Sequence, residues 1–189
     1  MAEKTVTNIG MRVLLDGIEE IMGTNGLRTI LKYRNVDYLL EKRPEHDFQK
    51  NYTEDEYEKI ISGIYDIIGI EGSKGLIRLT GRQIARYVIK TGMFDQTKEI
   101  EGDERIIKIL EIYSMATGRG KCWQNGDTII FDYPECPGCK DKTTTKPMCV
   151  AIDGYFREFL DWAGFKDKKL TEVKCKAMGD DTCMWEIRD

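Results

Sequence analysis

Apolar residues recur every three to four positions through the first part of the chain, the spacing of helices that bury one face. The first of these segments is predicted to begin at an N-cap, Asn8, and to stop near Gly23. A second helix is predicted over about 25–40. The polar, proline-containing stretch 41–52 is predicted to be a loop.

Three further helices are predicted in the middle of the chain. Thr53 and Glu56 have the spacing of a capping box, and the helix that they begin should stop before Gly69. The apolar pattern predicts the next two helices over about 76–90 and 103–117.

The pattern then changes to the short alternating segments of strands. Two of them flank Asn125-Gly126, a dipeptide typical of hairpin turns. A loop over 134–147 precedes a predicted helix over 150–163. A second hairpin is predicted over 173–187. Helices followed by two hairpins, with one helix between them, predict an α+β fold in which a small antiparallel sheet carries one packed helix.

Charge and composition narrow the class of protein. Charged residues make up 33% of the 189 residues and the net charge is −4, which opposes binding to nucleic acid. The chain has no apolar run of the roughly 20 residues that cross a bilayer, and its start lacks the apolar segment of a secretory signal. We therefore expect a cytoplasmic protein that binds neither nucleic acid nor membrane.

Five of the six cysteines lie in the last third of the chain, and in a reducing compartment such clusters bind metal more often than they form disulfides. Cys136 and Cys139 form a C-x2-C pair. Cys149 begins a predicted helix, whose amide groups favour a thiolate. Cys175 and Cys183 would face each other across the turn of the second hairpin. Soft thiolates in tetrahedral number select Zn²⁺, so these five cysteines are the predicted ligands of a structural zinc.

Other interpretations of these cysteines remain open. Cys136 and Cys139 would suit a redox pair, although no helix is predicted after them. A disulfide between Cys175 and Cys183 fits the hairpin but not a reducing compartment. Some of the thiols would also serve as small buried apolar groups. Since zinc needs four ligands, one of the five is spare, with Cys136 and Cys139 the first choices, and Cys122 is assigned to the core.

The end of the chain resembles the closing signature of the 4-vinyl reductase domain family. The signature consists of an acidic residue, a cysteine, a Gly-Asp turn, a second cysteine and an aromatic residue, here Glu172, Cys175, Gly179-Asp180, Cys183 and Trp185. Cys149 with the helix that follows it, and the segment 132–136, resemble earlier family elements. We predict a single domain over 1–189, with a helical N-terminal region over 1–70 and a 4-vinyl reductase-like core over 75–189.

The resemblance implies a fold similar to those of TRAPP vesicle-tethering subunits and haem-nitric-oxide-binding domains, with a pocket for a small apolar molecule. In phenol- and hydrocarbon-sensing regulators of this family, cysteines similar to Cys149, Cys175 and Cys183 bind zinc together with an acidic residue. By this resemblance the fourth ligand is Glu135 or one of the two C-x2-C cysteines.

Motifs for catalysis are scarce. No G-x-G-x-x-G motif follows a predicted strand, and the one histidine, His46, lies in a polar loop where a proximal haem ligand is not expected. We therefore favour a zinc-stabilised domain, not an enzyme, that binds a small hydrophobic molecule for sensing or carrying. A vinyl-group reductase or accessory protein of tetrapyrrole-type metabolism is one alternative. A module that assembles as a homodimer through its N-terminal helices is another.

Overall fold

The predicted α+β class is confirmed by a computed structural model, which describes residues 3–139 and 142–189. The chain divides into two compact units, one extending to Ile84 and the other from Ala85 to Asp189. The assignment of both to a single domain stays a prediction. Among the described residues, no helix combines the length and the apolar character that crossing a membrane requires.

The first unit is mainly helical and carries one small antiparallel pair of strands. Its elements are β1 (Lys4–Thr7), α1 (Asn8–Tyr33), α2 (Tyr38–Glu41), β2 (Lys50–Thr53) and most of α3 (Glu54–Lys90). Strands β1 and β2 pair with each other. Both were missed from the sequence, because β1 precedes the first apolar repeat and β2 begins inside the polar stretch predicted as a loop.

The predicted helix breaks occur at glycines inside two long helices. Gly23 has φ 71° and Gly69 has φ 73°, values that a residue without a side chain adopts at low cost, and each divides its helix into two parts. The predicted extension of the second helix to residue 40 is wrong. Its end at Tyr33 is followed by Asn35 with φ 55°, a left-handed conformation common just beyond helix ends.

Of the two N-capping side chains predicted, Thr53 and Asn8, only Thr53 is confirmed. The Thr53 amide donates to Glu56 Oε2 at 2.8 Å, and the Glu56 amide donates to Thr53 Oγ1 at 3.2 Å, which is the predicted capping box. Asn8 is not the N-cap of α1. Thr7 has that position, and its Oγ1 accepts from the amide of Gly10 at 3.2 Å.

The second unit holds a four-stranded antiparallel sheet with helices against it. Its elements are α4 (Gly102–Thr117), β3 (Lys121–Asn125), β4 (Thr128–Tyr133), α5 (Val150–Ala163), β5 (Lys169–Lys174) and β6 (Cys183–Arg188). The strand order is β3-β4-β6-β5. The two predicted hairpins therefore lie side by side, with β4 and β6 at the centre of the sheet.

Aromatic side chains fill the core of this unit. The ring of Phe156 on α5 lies 4.7 Å from that of Phe131 on β4 and 5.6 Å from that of Trp185 on β6, and both pairs are edge-to-face. All three side chains are fully buried. Tyr113 on α4 joins the cluster, and burial raises the pKa of its hydroxyl well above the ordinary value. These contacts fix the central strands β4 and β6, and Cys183 is the first residue of β6.

A glycine substitution tests how tightly this core is packed. Gly120 has φ 82°, and a Cβ placed on it would lie 2.5 Å from Cζ of the buried Phe131. Gly118 also has positive φ, 68°, but a Cβ there meets nothing within 4 Å. We expect Gly120→Ala to lower the free energy of unfolding by about 3 kcal/mol, and Gly118→Ala by about 1 kcal/mol, in urea denaturation. Equal losses would mean that the Phe131 ring moves aside freely.

Candidate metal centre

The sulfur atoms of five cysteines meet at one place in the second unit, and all five residues are buried: Cys136, Cys139, Cys149, Cys175 and Cys183. The Cys149 sulfur lies 3.2 Å from that of Cys136 and 3.0 Å from that of Cys139. It lies 3.4 Å from that of Cys183. The Cys139 sulfur is also 3.5 Å from those of Cys175 and Cys183. The structure thus brings together every predicted ligand.

Four separate parts of the fold deliver these sulfurs. Strand β4 leads into the loop that carries Cys136 and Cys139, where residues Pro137–Cys139 form a 3-10 turn. Cys149 is the N-cap residue of α5. Cys175 directly follows β5, and Cys183 is the first residue of β6. Such convergence of distant chain segments is what a structural metal site requires.

Cys175 and Cys183 lie at opposite positions of the second hairpin, as predicted. Strand β5 ends at Lys174, which pairs with Met184 after a register shift, and the same register continued by one residue sets Cys175 against Cys183. Cys175 itself lies just beyond β5, and a 3-10 turn over Lys176–Met178 follows it. The two sulfurs belong to one group of donors whose ligand atoms lie within 4.8 Å of one another.

Asp180 holds this turn in place. Its Oδ2 accepts a hydrogen bond from the amide of Cys175 at 2.7 Å, and the amide of Met178 donates to the carbonyl oxygen of Cys175 at 2.8 Å. The loop before α5 is tied to the same turn, because the amide of Thr144 donates to the carbonyl oxygen of Ala177 at 2.7 Å. Hydrogen bonds to the backbone therefore position Cys175 independently of any metal.

The carboxylate at the cluster belongs to Glu172. Its Oε2 accepts from the amide of Cys149 at 3.2 Å, while its Oε1 is buried and has no hydrogen-bond partner among the described residues. Glu135, the carboxylate considered from the sequence, is exposed. The sequence contained the relevant signal, since Glu172 is the acidic residue of the closing signature and stands three positions before Cys175.

Two groups of four donors have ligand atoms that all lie within 4.8 Å of one another. One group is Cys136, Cys139, Cys149 and Cys183, and the other is Cys149, Glu172, Cys175 and Cys183. Cys149 and Cys183 belong to both. The cluster could therefore hold a metal ion.

The sulfur separations fit a thiolate site. All six cysteines are free thiols in the structure, and the neighbouring sulfurs of the cluster are 3.0–3.5 Å apart. Zn²⁺ bound at about 2.3 Å by four thiolates has sulfur–sulfur edges of about 3.8 Å. A short outward movement of each sulfur would thus admit an ion. The buried and unpartnered Glu172 Oε1 supplies a further free donor.

Hydrogen bonds among the thiols shift their pKa values in opposite directions. Cys136, and then Cys149 and Cys183, donate toward the Cys139 sulfur, which lowers the pKa of Cys139. The pKa values of Cys149 and Cys183 are raised, because each thiol serves as a donor to its neighbours. Burial raises the pKa of Cys175 to about 12.

Two residues considered from the sequence lie elsewhere. Cys122 is half-buried on β3, outside both donor groups, and burial raises the pKa of its thiol to about 12. His46 is exposed in the first unit. Neither takes part in the cluster.

All six donors fall within one stretch near the end of the chain that matches a family model. Residues 127–189 match the 4-vinyl reductase domain. The resemblance to this family is thereby confirmed for the matched stretch, called the C-terminal segment below. It includes β4, α5, β5, β6 and the whole cluster. No curated protein sequence matches the chain.

Solved structures with a similar fold are H-NOX domains. The chain aligns with the crystal structure of an H-NOX protein from Shewanella oneidensis in the Fe(II)NO ligation state at 14% identity and a TM-score of 0.62, covering 97% of this chain and 98% of that one. An NMR structure of an H-NOX domain from the same organism in the Fe(II)CO state gives 12% identity, a TM-score of 0.55 and coverages of 93% and 96%. At this identity the likeness concerns the fold alone.

Haem of the kind held by a proximal histidine does not fit this chain. The one histidine of the sequence is His46, which is exposed in a loop of the first unit. The donors concentrated in the C-terminal segment are thiols instead, a set that suits small thiophilic ions.

The hydrogen bond from the Cys175 amide to Asp180 can be tested for its effect on metal affinity. Asp180→Ala removes the acceptor for the Cys175 amide, and we expect a loss of 10- to 100-fold in Zn²⁺ affinity, roughly the usual effect of removing a group that orients a ligand. The neighbouring Asp181 forms an ion pair with Lys174 only at the surface, so Asp181→Ala should leave the affinity unchanged. Competition titration with a chromophoric chelator measures both, and equal effects would contradict the assigned role.

Proposed function

We propose that the protein is a 4-vinyl reductase-type domain in which Zn²⁺, held by thiolates of the cluster, stabilises the fold, and which binds a small hydrophobic molecule for sensing or carrying. The proposed zinc site is supported by the convergence of five buried thiols and the Glu172 carboxylate within the C-terminal segment. Soft sulfur donors in tetrahedral number favour zinc over the oxygen-seeking ions Mg²⁺ and Ca²⁺.

The role of the metal is structural in this proposal. The five cysteines are between 0% and 6% exposed, which leaves no open side for a substrate and resembles a closed site. Binding would cross-link the β4–α5 loop, the start of α5 and the ends of β5 and β6. Free thiols at this density also suit a cytoplasmic location, where they stay reduced.

The hydrophobic ligand is proposed to enter the apolar core of the second unit. A cavity of about 10 Å³, room for roughly one water molecule, lies among side chains from three elements: Ile106, Ile109, Leu110, Phe156, Phe159, Leu160 and Ile187. Every lining residue is apolar, as expected for a site that selects a molecule by its hydrophobic surface. Binding would require the aromatic side chains to move apart, so a small ligand is favoured.

Enlarging the cavity provides a test with a matched control on the same helix. Ile109 lines the cavity and is 2% exposed, whereas Ile112 is 6% exposed and does not line it. Each change to alanine is expected to cost about 3 kcal/mol of unfolding free energy. Only Ile109→Ala should then gain affinity for toluene, seen as a rise in its melting temperature with the probe. A gain in both variants, or in neither, would argue against this cavity.

Self-association of the chain is proposed through the helices of the first unit. Several large apolar side chains on these helices are exposed: Ile21, Tyr33, Tyr38 and Ile67. Sedimentation equilibrium of the zinc-loaded protein measures the state directly, and a monomer at all concentrations would exclude a homodimer.

The first experiment on the proposal is native mass spectrometry of freshly purified protein, compared with its denatured mass. Bound zinc would support the metal centre, and additional small-molecule mass would identify the ligand. A metal-free chain whose mass is lower by two hydrogen atoms for each cysteine pair would mean disulfides, and would overturn the zinc proposal.

A further inference from the structure

We propose that the cluster is a redox switch, in which a peroxide joins Cys139 to Cys149 in a disulfide and the zinc is released. This inference rests on the proposed function, since it requires that the cluster bind zinc. It comes from one juxtaposition: the Cys139 sulfur lies 3.0 Å from that of Cys149, and Cys149 belongs to both groups of four donors.

The cluster contains more thiols than one ion binds. Zn²⁺ in a structural site has four ligands, whereas five buried cysteines meet here. Whichever donors hold the ion, at least one thiol stays outside its coordination sphere while its sulfur remains close to the bound sulfurs. An unbound thiol beside other sulfurs can be oxidised and then joined to one of them. The extra thiol therefore gives the cluster a redox chemistry that four cysteines bound to zinc do not need.

Cys139 has the position that this chemistry requires. Its sulfur lies within 3.5 Å of those of Cys149, Cys175 and Cys183, and the Cys149 sulfur is the nearest of the three. Because a disulfide is about 2.05 Å long, that pair has to close by about 1 Å. Cys139 also follows the exposed Gly138 and is itself 6% exposed, whereas Cys175 and Cys183 are 0% exposed. A small oxidant thus reaches Cys139 before the thiols of the hairpin.

Cys149 is the ligand whose loss empties the site. With its sulfur in a disulfide, the first group retains only Cys136 and Cys183 besides the oxidised pair. The second group retains Glu172, Cys175 and Cys183. Neither group then supplies the four ligands of a closed zinc site, and a disulfide sulfur is not the thiolate that zinc prefers. The metal is released whichever of the two groups holds it.

The reaction takes two steps and consumes one hydroperoxide. The Cys139 sulfur first attacks the O–O bond of hydrogen peroxide, which gives a sulfenic acid and one molecule of water. The Cys149 sulfur then attacks the sulfur of this sulfenic acid, so that the S–S bond forms, the S–O bond breaks and a second water leaves. The electron pair that bound zinc passes into the new bond. In total, two thiols lose two electrons and two protons, and the peroxide becomes two molecules of water.

The structural effect of oxidation should be local. The disulfide still ties the C-x2-C loop to the start of α5, but zinc no longer cross-links Cys175 and Cys183 at the ends of β5 and β6. The turn over Lys176–Met178 would then depend on its hydrogen bonds, chiefly that from the Cys175 amide to Asp180. We expect its amide hydrogens to exchange faster after oxidation, while those of the central strands β4 and β6 change less.

The test begins with the zinc-loaded full chain, freed of reductant and excess ion and treated with a small molar excess of hydrogen peroxide. Compared with an untreated sample, we expect release of the zinc to a chromophoric chelator and a denatured mass lower by two hydrogen atoms. Fragmentation mass spectrometry should place the new bond between Cys139 and Cys149. Reduction with dithiothreitol should restore zinc binding.

The outcomes separate this inference from the proposed function. Zinc retained after the treatment would overturn the switch while leaving the zinc-stabilised domain intact. A disulfide between Cys136 and Cys139 would also overturn it, because the second group of donors would stay complete. A reduced chain that binds no zinc would overturn both.

Variants test the role of Cys139, with release measured relative to the zinc that each variant binds before treatment. Cys139→Ser should keep its zinc under conditions that empty the unmodified chain. Cys122→Ser is the matched control, since that thiol is half-buried on β3 outside both groups, and it should release zinc like the unmodified chain. Equal release from both variants would overturn the assignment of Cys139. The disulfide mapped in the unmodified chain identifies the pair independently of how either variant folds.

Discussion

Replacement of Cys183 by serine is expected to release the metal and to lower the free energy of unfolding by at least about 5 kcal/mol. Cys183 is fully buried, belongs to both donor groups and is the first residue of the central strand β6. Structural zinc in small domains contributes about 10–16 kcal/mol of binding free energy, which appears as folding free energy because the unfolded chain has no preformed site. A serine hydroxyl does not replace a thiolate as a zinc ligand, so most of this contribution is lost.

Urea denaturation followed by circular dichroism, with zinc content measured on the same samples, provides the test. Cys122→Ser is the matched control, since that thiol is half-buried on β3 and lies outside the cluster. We expect it to cost no more than about 1 kcal/mol and to leave the metal in place. If Cys183→Ser unfolded at the same urea concentration as the control, the metal would have no structural role.

The order of elements in the second unit could be predicted because local signals there agree with tertiary packing. The helix over 150–163 was predicted with the bounds of α5, and Gly164 ends it with φ 92°. Asn125-Gly126 joins β3 and β4 as expected. By contrast, β1 and β2 each have four residues and pair only with each other. Strands this short have no apolar periodicity from which they could be predicted.

The candidate site could be predicted as a set of residues but not as a geometry. The spacing of the five cysteines along the sequence predicted that they form one metal site, because cysteines so clustered in a reducing compartment bind metal more often than they form disulfides. It could not show that the position of Cys175 opposite Cys183 depends on a register shift between Glu172 and Lys174. Nor could it select Glu172 over Glu135, a choice made by which carboxylate the fold buries. Long-range pairing, and not local pattern, decides both points.

Trp185 is expected to be the most sensitive core position of β6. It is fully buried, packs edge-to-face on Phe156 and pairs across the sheet with Phe131 and Glu172. We expect Trp185→Ala to lower the free energy of unfolding by about 4 kcal/mol, through lost burial and the cavity left behind. Trp123 on β3, which is 40% exposed, is the matched control, and Trp123→Ala should cost less than about 1 kcal/mol.

A second substitution at the same position separates packing from hydrogen bonding. The Trp185 Nε1 is buried without a hydrogen-bond partner among the described residues, a deficit that costs about 1–3 kcal/mol. Trp185→Phe removes this donor and keeps an aromatic ring, so the gain offsets much of the lost contact area, and we expect a change within about 1 kcal/mol in urea denaturation. Zinc content should stay that of the unmodified chain. A loss as large as that of Trp185→Ala would contradict this expectation, because lost packing of the ring would then outweigh the removal of a buried donor without a partner.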